Sequence, residues 1–453
     1  MTETSDEEAA GPELTAVAPE AGGPVAGPAR SGRGSARARR LAGRRNTPLW
    51  LLGVVSIVSL ATRLYRLNFP NTLVFDENTY VNAARVILGL KVPAGAPLGK
   101  HLVVGQDPAW WHPPLVKVLI ASSMSVFGNN GWGWRLPAVL FGSVALLAMY
   151  WLVRAAKGSP WLALGATTLM AFDNLFFVHA RVGMLEIFQL AFMLIALALY
   201  LRKEYIFAGV VLGIGACCKI NALLLVPIVI SIELVRWATA KRAGGGAPEG
   251  AVSRMAMFTG VSLASFVVFL ELLDLRFSKF RDPFSHIYHM VVSVGSVRFI
   301  PLSQTGSGTF NSNPWDWLLN NGVLNYWTVY RNVYKHGVFI TSVDTFRMLS
   351  SVNPFILFLA IPSVALAIYC AWKDGDEVAI VAASWTVVTF GFFLFVDALG
   401  RTSYEYYMLT VMPGIYLSVA RLFSRRYLPR AAVVGYGLGV ALGFWGLFPF
   451  RRF

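Results

Sequence analysis

Phe188-Gln189-Leu190-Ala191-Phe192-Met193-Leu194-Ile195-Ala196-Leu197-Ala198-Leu199-Tyr200 carries no charge and does not alternate apolar with polar residues. A strand crossing a bilayer must alternate and must close into a barrel, because no water is present to satisfy an open edge. A helix satisfies its own backbone and needs about 20 apolar residues to cross about 30 Å of hydrocarbon. The run therefore reads as the centre of a transmembrane helix over 183–201. Working outward, runs of the same kind fall at 49–67, 134–154, 160–178, 205–217, 220–236, 255–275, 353–372, 378–397, 404–422 and 431–449. The expected fold is an all-α polytopic membrane protein with about eleven transmembrane helices. Composition agrees: of 453 residues 56% are hydrophobic and 14% charged, where soluble domains carry roughly 25% charged residues.

The net charge of +15 would suggest nucleic acid in a soluble protein. Here the cations cluster at helix ends, so topology explains them and no nucleic-acid partner is expected. With alternating spans, Arg44, Arg45, Arg154, Lys157, Arg202, Lys203, Arg236, Lys241, Arg242, Arg254, Lys373, Arg421, Arg425 and Arg426 share one side, which the positive-inside rule makes cytoplasmic. Residues 1–46, rich in Ala, Gly, Pro, Ser, Glu and Arg and free of aromatics, read as a disordered cytoplasmic tail, and 47–453 as the membrane-embedded domain. The opposite face receives two long loops, 68–133 and 276–351. Within the first, apolar spacing at 80, 84, 87 and 88 predicts a helix from about Asn78, and His112 to Phe127 is short enough for an interfacial helix. Cys217, Cys218 and Cys370 lie inside apolar runs and read as core residues.

Three features carry chemistry. Phe75-Asp76-Glu77 places two carboxylates where a helix begins, so the dipole would keep Asp76 ionised as a general base requires; a plain solvated loop is the alternative. Trp111-His112-Pro113-Pro114-Leu115-Val116-Lys117 aims His112 rigidly, with Lys117 about a turn later; both could also meet an anionic headgroup without specificity. The third feature is the set of charges within or beside spans: Arg135, Arg181, Glu186, Lys219, Glu271 and Asp274. Such residues are costly in lipid and usually face a cavity or a partner, though Arg135 could snorkel. Arg135, Arg181, Glu186 and Lys219 fall on the side of Asp76 and His112, so one pocket could hold cations for a phosphate and carboxylates for an acceptor. Asp76 with Glu77 could hold a divalent ion; the sequence shows no compact His/Cys ligand cluster.

Taken together and in order, these pieces resemble the protein O-mannosyltransferase family (glycosyltransferase family 39), and most its bacterial members. The matching pieces run through Phe75-Asp76-Glu77, His112-Pro113-Pro114-Leu115 with Lys117, Gly133-Trp134-Arg135, Asp173-Asn174 to Arg181 and Glu186, and Gly209 to Lys219. Asn313-Pro314-Trp315-Asp316-Trp317-Leu318-Leu319, Ser351-Val352-Asn353-Pro354 and, more loosely, Tyr404-Glu405-Tyr406-Tyr407 follow. The resemblance implies the C-type glycosyltransferase fold and a polyprenyl-phosphate sugar donor, with transfer outside the cytoplasm. It implies mannose as the sugar and Ser/Thr of secreted or membrane proteins as acceptor. It also implies Asp76 as the catalytic acid position with Glu77 beside it, and Arg135 at the donor phosphate. His112 matches a lysine, and Tyr80 a tyrosine, of the related aminoarabinose transferases acting on lipid A. Val116 stands where the family usually has Gly, and Glu186 where many members have Asp.

The resulting expectation is an inverting transferase in the cell membrane whose chemistry need not involve a metal, with Asp76 and Glu77 able to hold a divalent ion. Asp76 and Glu77 form its catalytic pair. Arg135, His112, Lys117 and Lys219 hold the donor phosphate, and Tyr80, Arg181, Glu186, Trp315 and Trp317 contact acceptor or sugar. Two rivals are the same fold glycosylating a cell-envelope lipid or glycan, and a transporter or flippase. The second would usually show two similar halves with broken helices at the midplane, and no such repeat is visible.

Overall fold

The computed structural model describes residues 32–99, 101–246, 248–296, 312–335, 338–424 and 428–450. The chain divides into two units, Met1–Thr47 and Pro48–Phe453. Most of the expected tail lies outside the described residues; over its last part helix α1 (Gly32–Leu64) is already formed, where disorder was expected up to Asn46. Ala and Arg are good helix formers, and that preference accounts for the helix.

The described part of the second unit is mostly helical. The first long loop contributes α2 (Glu77–Ile87) and α3 (Leu115–Phe127), and Pro114 caps α3 from just outside it. Then come α4 (Gly131–Ala155), α5 (Pro160–Ala171), α6 (Asn174–His179), α7 (Glu186–Leu201), α8 (Tyr205–Ala216), α9 (Leu225–Arg242) and α10 (Ala251–Phe277). After these follow α11 (Pro283–Ser296), α12 (Pro314–Trp317), α13 (Pro354–Phe358), α14 (Ala360–Asp374), α15 (Glu377–Ala398), α16 (Met408–Phe423) and α17 (Arg430–Leu447). Six helices among the described residues are long and apolar enough to cross a membrane, and four shorter apolar helices accompany them. This is a multi-pass membrane protein.

The expected span 160–178 is broken. Phe172 and Asp173 separate α5 from α6, and buried Asp173 is the reason. Its Oδ2 accepts from the Tyr416 hydroxyl at 2.5 Å and its Oδ1 from the Asn353 backbone N–H at 2.8 Å. Asn353 Nδ2 in turn donates to the carbonyls of Phe172 and Val440. The Asp173 and Asn353 motifs thus form one buried knot joining α6, α13, α16 and α17, since a polar group in an apolar interior must be paired. Gly209 and Gly213, four apart on α8, let α10 approach closely. A Cβ at Gly213 would stand 2.5 Å from the Ser265 Cβ, and one at Gly209 2.7 Å from the Val261 Cβ, the small-residue packing expected between helices in lipid.

The fold is not all-α. Asn325–Lys335 (β1) and Val338–Leu349 (β2) pair antiparallel with three register shifts. Leu324, Tyr326, Phe346 and Met348 are buried, so one end of this hairpin packs over the bundle. Its alternating aromatic and β-branched residues are a legible strand pattern. Reading 276–351 as loop passed over it.

Candidate active site

The site begins with a strained turn. Phe75 has φ of +45°, a conformation uncommon for a non-glycine residue. Its ring stacks on Tyr326 of the hairpin at 4.7 Å and meets Tyr406 edge-on at 5.8 Å. This aromatic seat fixes the backbone that delivers Asp76 and Glu77 at the head of α2.

The two carboxylates then part company. Glu77 is buried, and its oxygens accept four hydrogen bonds: from Arg135 Nε and Nη2, both at 2.9 Å, from the Val74 backbone N–H at 3.0 Å and from the Gly183 N–H at 2.9 Å. Arg135 is equally committed. A guanidinium has five N–H donors; besides the two on Glu77, Nη1 donates to the Leu67 and Pro70 carbonyls and Nη2 to that of Thr72. Every donor of Arg135 and four lone-pair sites of Glu77 are occupied. In this arrangement Arg135 has no donor left over for the phosphate it was expected to hold, and it clamps the 67–77 loop. Glu77 is likewise a structural partner, and it turns to Arg135 instead of converging with Asp76 on a shared ion. Among the described residues no group of three His, Cys, Asp or Glu gathers at one point.

Asp76 is half-buried, and its carboxylate accepts no hydrogen bond from the described residues. The charges it senses are Glu186 and Lys219. Burial first, and then Glu186, push its carboxyl up to about 7, against Lys219, which pulls it down. The helix start does not keep it fully ionised, as the sequence reading expected, because desolvation is the larger effect.

Lys219 Nζ donates to Glu186 Oε1 at 2.7 Å and lies 4.9 Å over the Tyr407 ring. An ammonium has three donors, and Glu186 is the one hydrogen-bond acceptor Lys219 meets among the described residues. Glu186 Oε2 faces His179 Nδ1 at 3.7 Å, and His179 Nε2 contacts the Tyr326 hydroxyl at 2.9 Å. His112 presents a buried Nδ1 with no partner among the described residues and its ring sits 6.2 Å from Tyr80. Burial and then the nearby Lys219 hold it well below the usual histidine range, so it stands neutral, a hydrogen-bonding group and not a cation.

Lys117 does not join them. Its ammonium is buried and bonds Asp107, the Ala109 carbonyl at 2.7 Å and the His112 carbonyl at 2.7 Å. All three donors are used, so Lys117 positions the His112 loop and has nothing for a phosphate. Arg181 is also elsewhere. It donates to the Tyr65 and Arg66 carbonyls and stacks 4.5 Å from the Phe450 ring. Trp317 is fully buried, bonding Ser312 and packing on Phe393 and Tyr407, so it braces the pocket wall and offers no contact surface. Trp315 is 61% exposed, over an apolar groove of about 330 Å³ shared with Ile361, Phe390 and Met408. Tyr326, His179 and Tyr407 complete the pocket and were missed as site residues. His179 lies within the matching stretch from Asp173 to Arg181 and Tyr407 within the looser Tyr404-Glu405-Tyr406-Tyr407 stretch; nothing pointed to Tyr326.

The geometry defines a membrane-embedded, largely helical protein with a buried acid–cation cluster of Asp76, His179, Glu186 and Lys219. This fold is shared with the Saccharomyces cerevisiae protein O-mannosyltransferase Pmt1-Pmt2 complex bound to the sugar donor (TM-score 0.66, 12% identity, 90% of each chain). It is shared also with ArnT from Cupriavidus metallidurans bound to undecaprenyl phosphate (TM-score 0.52, 16% identity, 88% of this chain and 63% of that one). Residues 53–277 match the family described as dolichyl-phosphate-mannose-protein mannosyltransferase, the family the resemblance named. A polyprenol-phosphate-mannose–protein mannosyltransferase of Mycobacterium tuberculosis is 32% identical over 151 residues, 32% of this chain and 27% of that protein. The chain thus matches about a quarter of that relative's length.

Proposed function

We propose that the protein transfers mannose from a polyprenyl phosphate to Ser or Thr hydroxyls of proteins on the extracytoplasmic side, with inversion. The observation that carries this reading is Asp76: a carboxylate without a hydrogen-bond partner among the described residues, close enough to the Glu186–Lys219 pair to feel both charges, with Tyr80, Tyr404 and Tyr406 near enough to feel its own. Asp76 takes the hydroxyl proton as the oxygen attacks sugar C1. The C1–O bond to phosphate breaks with its electron pair passing to the phosphate. Lys219, held by Glu186, and the neutral imidazole of His112 stabilise the charge that gathers there. Tyr80, buried beside Asp76 and His112, is placed to contact the sugar. The shorter helices α5, α7, α8, α14 and α16, added to the six long ones, make about eleven crossings, with the N-terminus cytoplasmic and the site outside.

The test is an incorporation assay with the purified full chain, radiolabelled polyprenyl-phosphate mannose and Ser/Thr-rich peptides. Label in peptide supports the reading; label passing only to lipid or glycan overturns the acceptor, and donor left intact overturns the reaction. Orientation is checked separately. A cysteine at exposed Asn71 is expected to react with an impermeant thiol reagent in intact cells, and one at exposed Gly246 only after lysis. The reverse pattern would invert the topology.

A further inference from the structure

Helix α11 leaves the end of α10 after a five-residue link and divides into three faces. At about 100° per residue, Pro283, His286, Ile287 and Met290 share one side, and His286 and Met290 are each only 1% exposed. Ser285, His289 and Ser293 form a second, polar strip. Phe284, Tyr288, Val291 and Val292 form a third, and these are 69, 66, 56 and 51% exposed. A helix wholly in water has no use for an exposed apolar stripe beside a polar one, and a helix crossing hydrocarbon has no use for the polar strip. Protein on one side, lipid below and water above satisfies all three faces at once.

The surroundings name the occupant of the stripe. Arg276, Lys279 and Arg281 line the link between α10 and α11, where a span emerges among lipid headgroups, and cations there favour anionic lipid. Asp282, the acid among them, accepts from the Ser285 backbone N–H at 2.7 Å and so caps the helix. From its protein side, α11 reaches the site. His286 Nδ1 contacts the Asp274 carboxylate at 2.8 Å and Nε2 contacts the Trp110 carbonyl at 2.8 Å. Phe280 stacks on the His286 ring at 4.4 Å, and Lys279 lies 4.6 Å over Trp110. Trp110 stands two residues before His112.

We propose that α11 lies in the bilayer interface, its Phe284/Tyr288/Val291/Val292 stripe seated in the leaflet nearest the site, and that through His286 it ties the His112 loop to the membrane surface. The helix is a positioning element for a lipid-borne donor. The second half of this inference rests on the proposed function; the first does not.

The experiment uses the full chain in phosphatidylcholine/phosphatidylglycerol vesicles, with a fluorophore on single cysteines at Tyr288 or Val291, and at Ser285 or Ser293. Spin-labelled lipid is expected to quench the first pair and aqueous iodide the second. Equal quenching on both faces, or shielding of the stripe from both quenchers with cross-linking between copies, overturns the lipid assignment. A Phe284→Ser/Tyr288→Ser variant, whose mutated side chains are exposed and whose folding is checked by its melting temperature, is then assayed in vesicles. A several-fold rise in donor KM with unchanged kcat, the mark of lost positioning without lost chemistry, is expected; an unchanged KM overturns the coupling to His112. If the proposed function itself is wrong, the wild type transfers nothing while the quenching pattern still reads out.

Discussion

Asp76 and Glu77 are adjacent in sequence and opposite in situation. Glu77 accepts four hydrogen bonds and faces a guanidinium whose five donors are all engaged. The Asp76 carboxylate accepts none among the described residues and faces the charges of Glu186 and Lys219. The cations divide in the same way: Arg135 and Lys117 are saturated by backbone and carboxylate, whereas Lys219 gives one hydrogen bond to Glu186. The difference separates groups that hold the site from groups free to act in it. A saturated polar group has already exchanged its reactivity for position, and an unsaturated one beside a cavity is kept unsatisfied at a cost.

The comparison is most exposed to failure at Asp76. Asp76→Asn keeps the shape and removes the base, so turnover is expected to fall by roughly 100- to 10,000-fold, with donor binding and melting temperature little changed. Near-normal turnover would move the role of base to Glu77 or Glu186. On the other side of the divide, Arg135→Lys and Glu77→Gln break a buried pair, and each is expected to cost about 3–5 kcal/mol of stability. Lysine cannot reproduce a fork that reaches three carbonyls and two carboxylate oxygens. Donor affinity of the protein that remains folded is expected to stay close to wild type, measured by binding after thermal unfolding has been scored. A stable Arg135→Lys protein with weakened donor binding would restore the phosphate role.

Much of the architecture was legible because lipid forces long uninterrupted apolar runs, and those runs mark helices with little ambiguity. Glu186 and Lys219 were legible as charges too costly to place in lipid without purpose, Asp76 as one of two acids at a helix start, and His112 as the residue that a Pro-Pro pair aims. The division of labour between Arg135 and Lys219 was not. Both are cations at the same end of the bundle, and what separates them is the carbonyls of Leu67, Pro70 and Thr72, backbone atoms that every sequence carries. Tyr326 was missed for another reason. Its strand lies some 250 residues from Phe75, and only the fold brings the two rings together.

Lys219→Met gives a smaller expected effect, since it removes one charged hydrogen-bonding group at the phosphate, worth about 1.5–3 kcal/mol. Donor binding is therefore expected to weaken by roughly one to two orders of magnitude, measured by titration with polyprenyl phosphate. Lys117→Met is the contrasting variant: it is expected to lower the melting temperature, because it empties three bonds beneath the His112 loop, and to affect binding only through that loss of order. Equal binding defects with equal stability in the two variants would erase the distinction between saturated and unsaturated cations.

The finest test is the pH dependence of kcat/KM. Asp76 works as a base only when ionised, and its carboxyl sits at about 7. Below that value each pH unit is expected to cost about tenfold in rate, and above it the rate should level off. Two substitutions then move the inflection in opposite directions. Glu186→Gln removes a negative charge that raises the Asp76 value, so the inflection should shift to lower pH. Lys219→Met removes a positive charge that lowers it, so the inflection should shift to higher pH. A merely structural disturbance has no reason to produce opposite shifts from two residues that bond each other. Coincident profiles for the wild type and both variants would mean that the titrating group is not Asp76, and that the pocket around Lys219 does not govern the proton transfer.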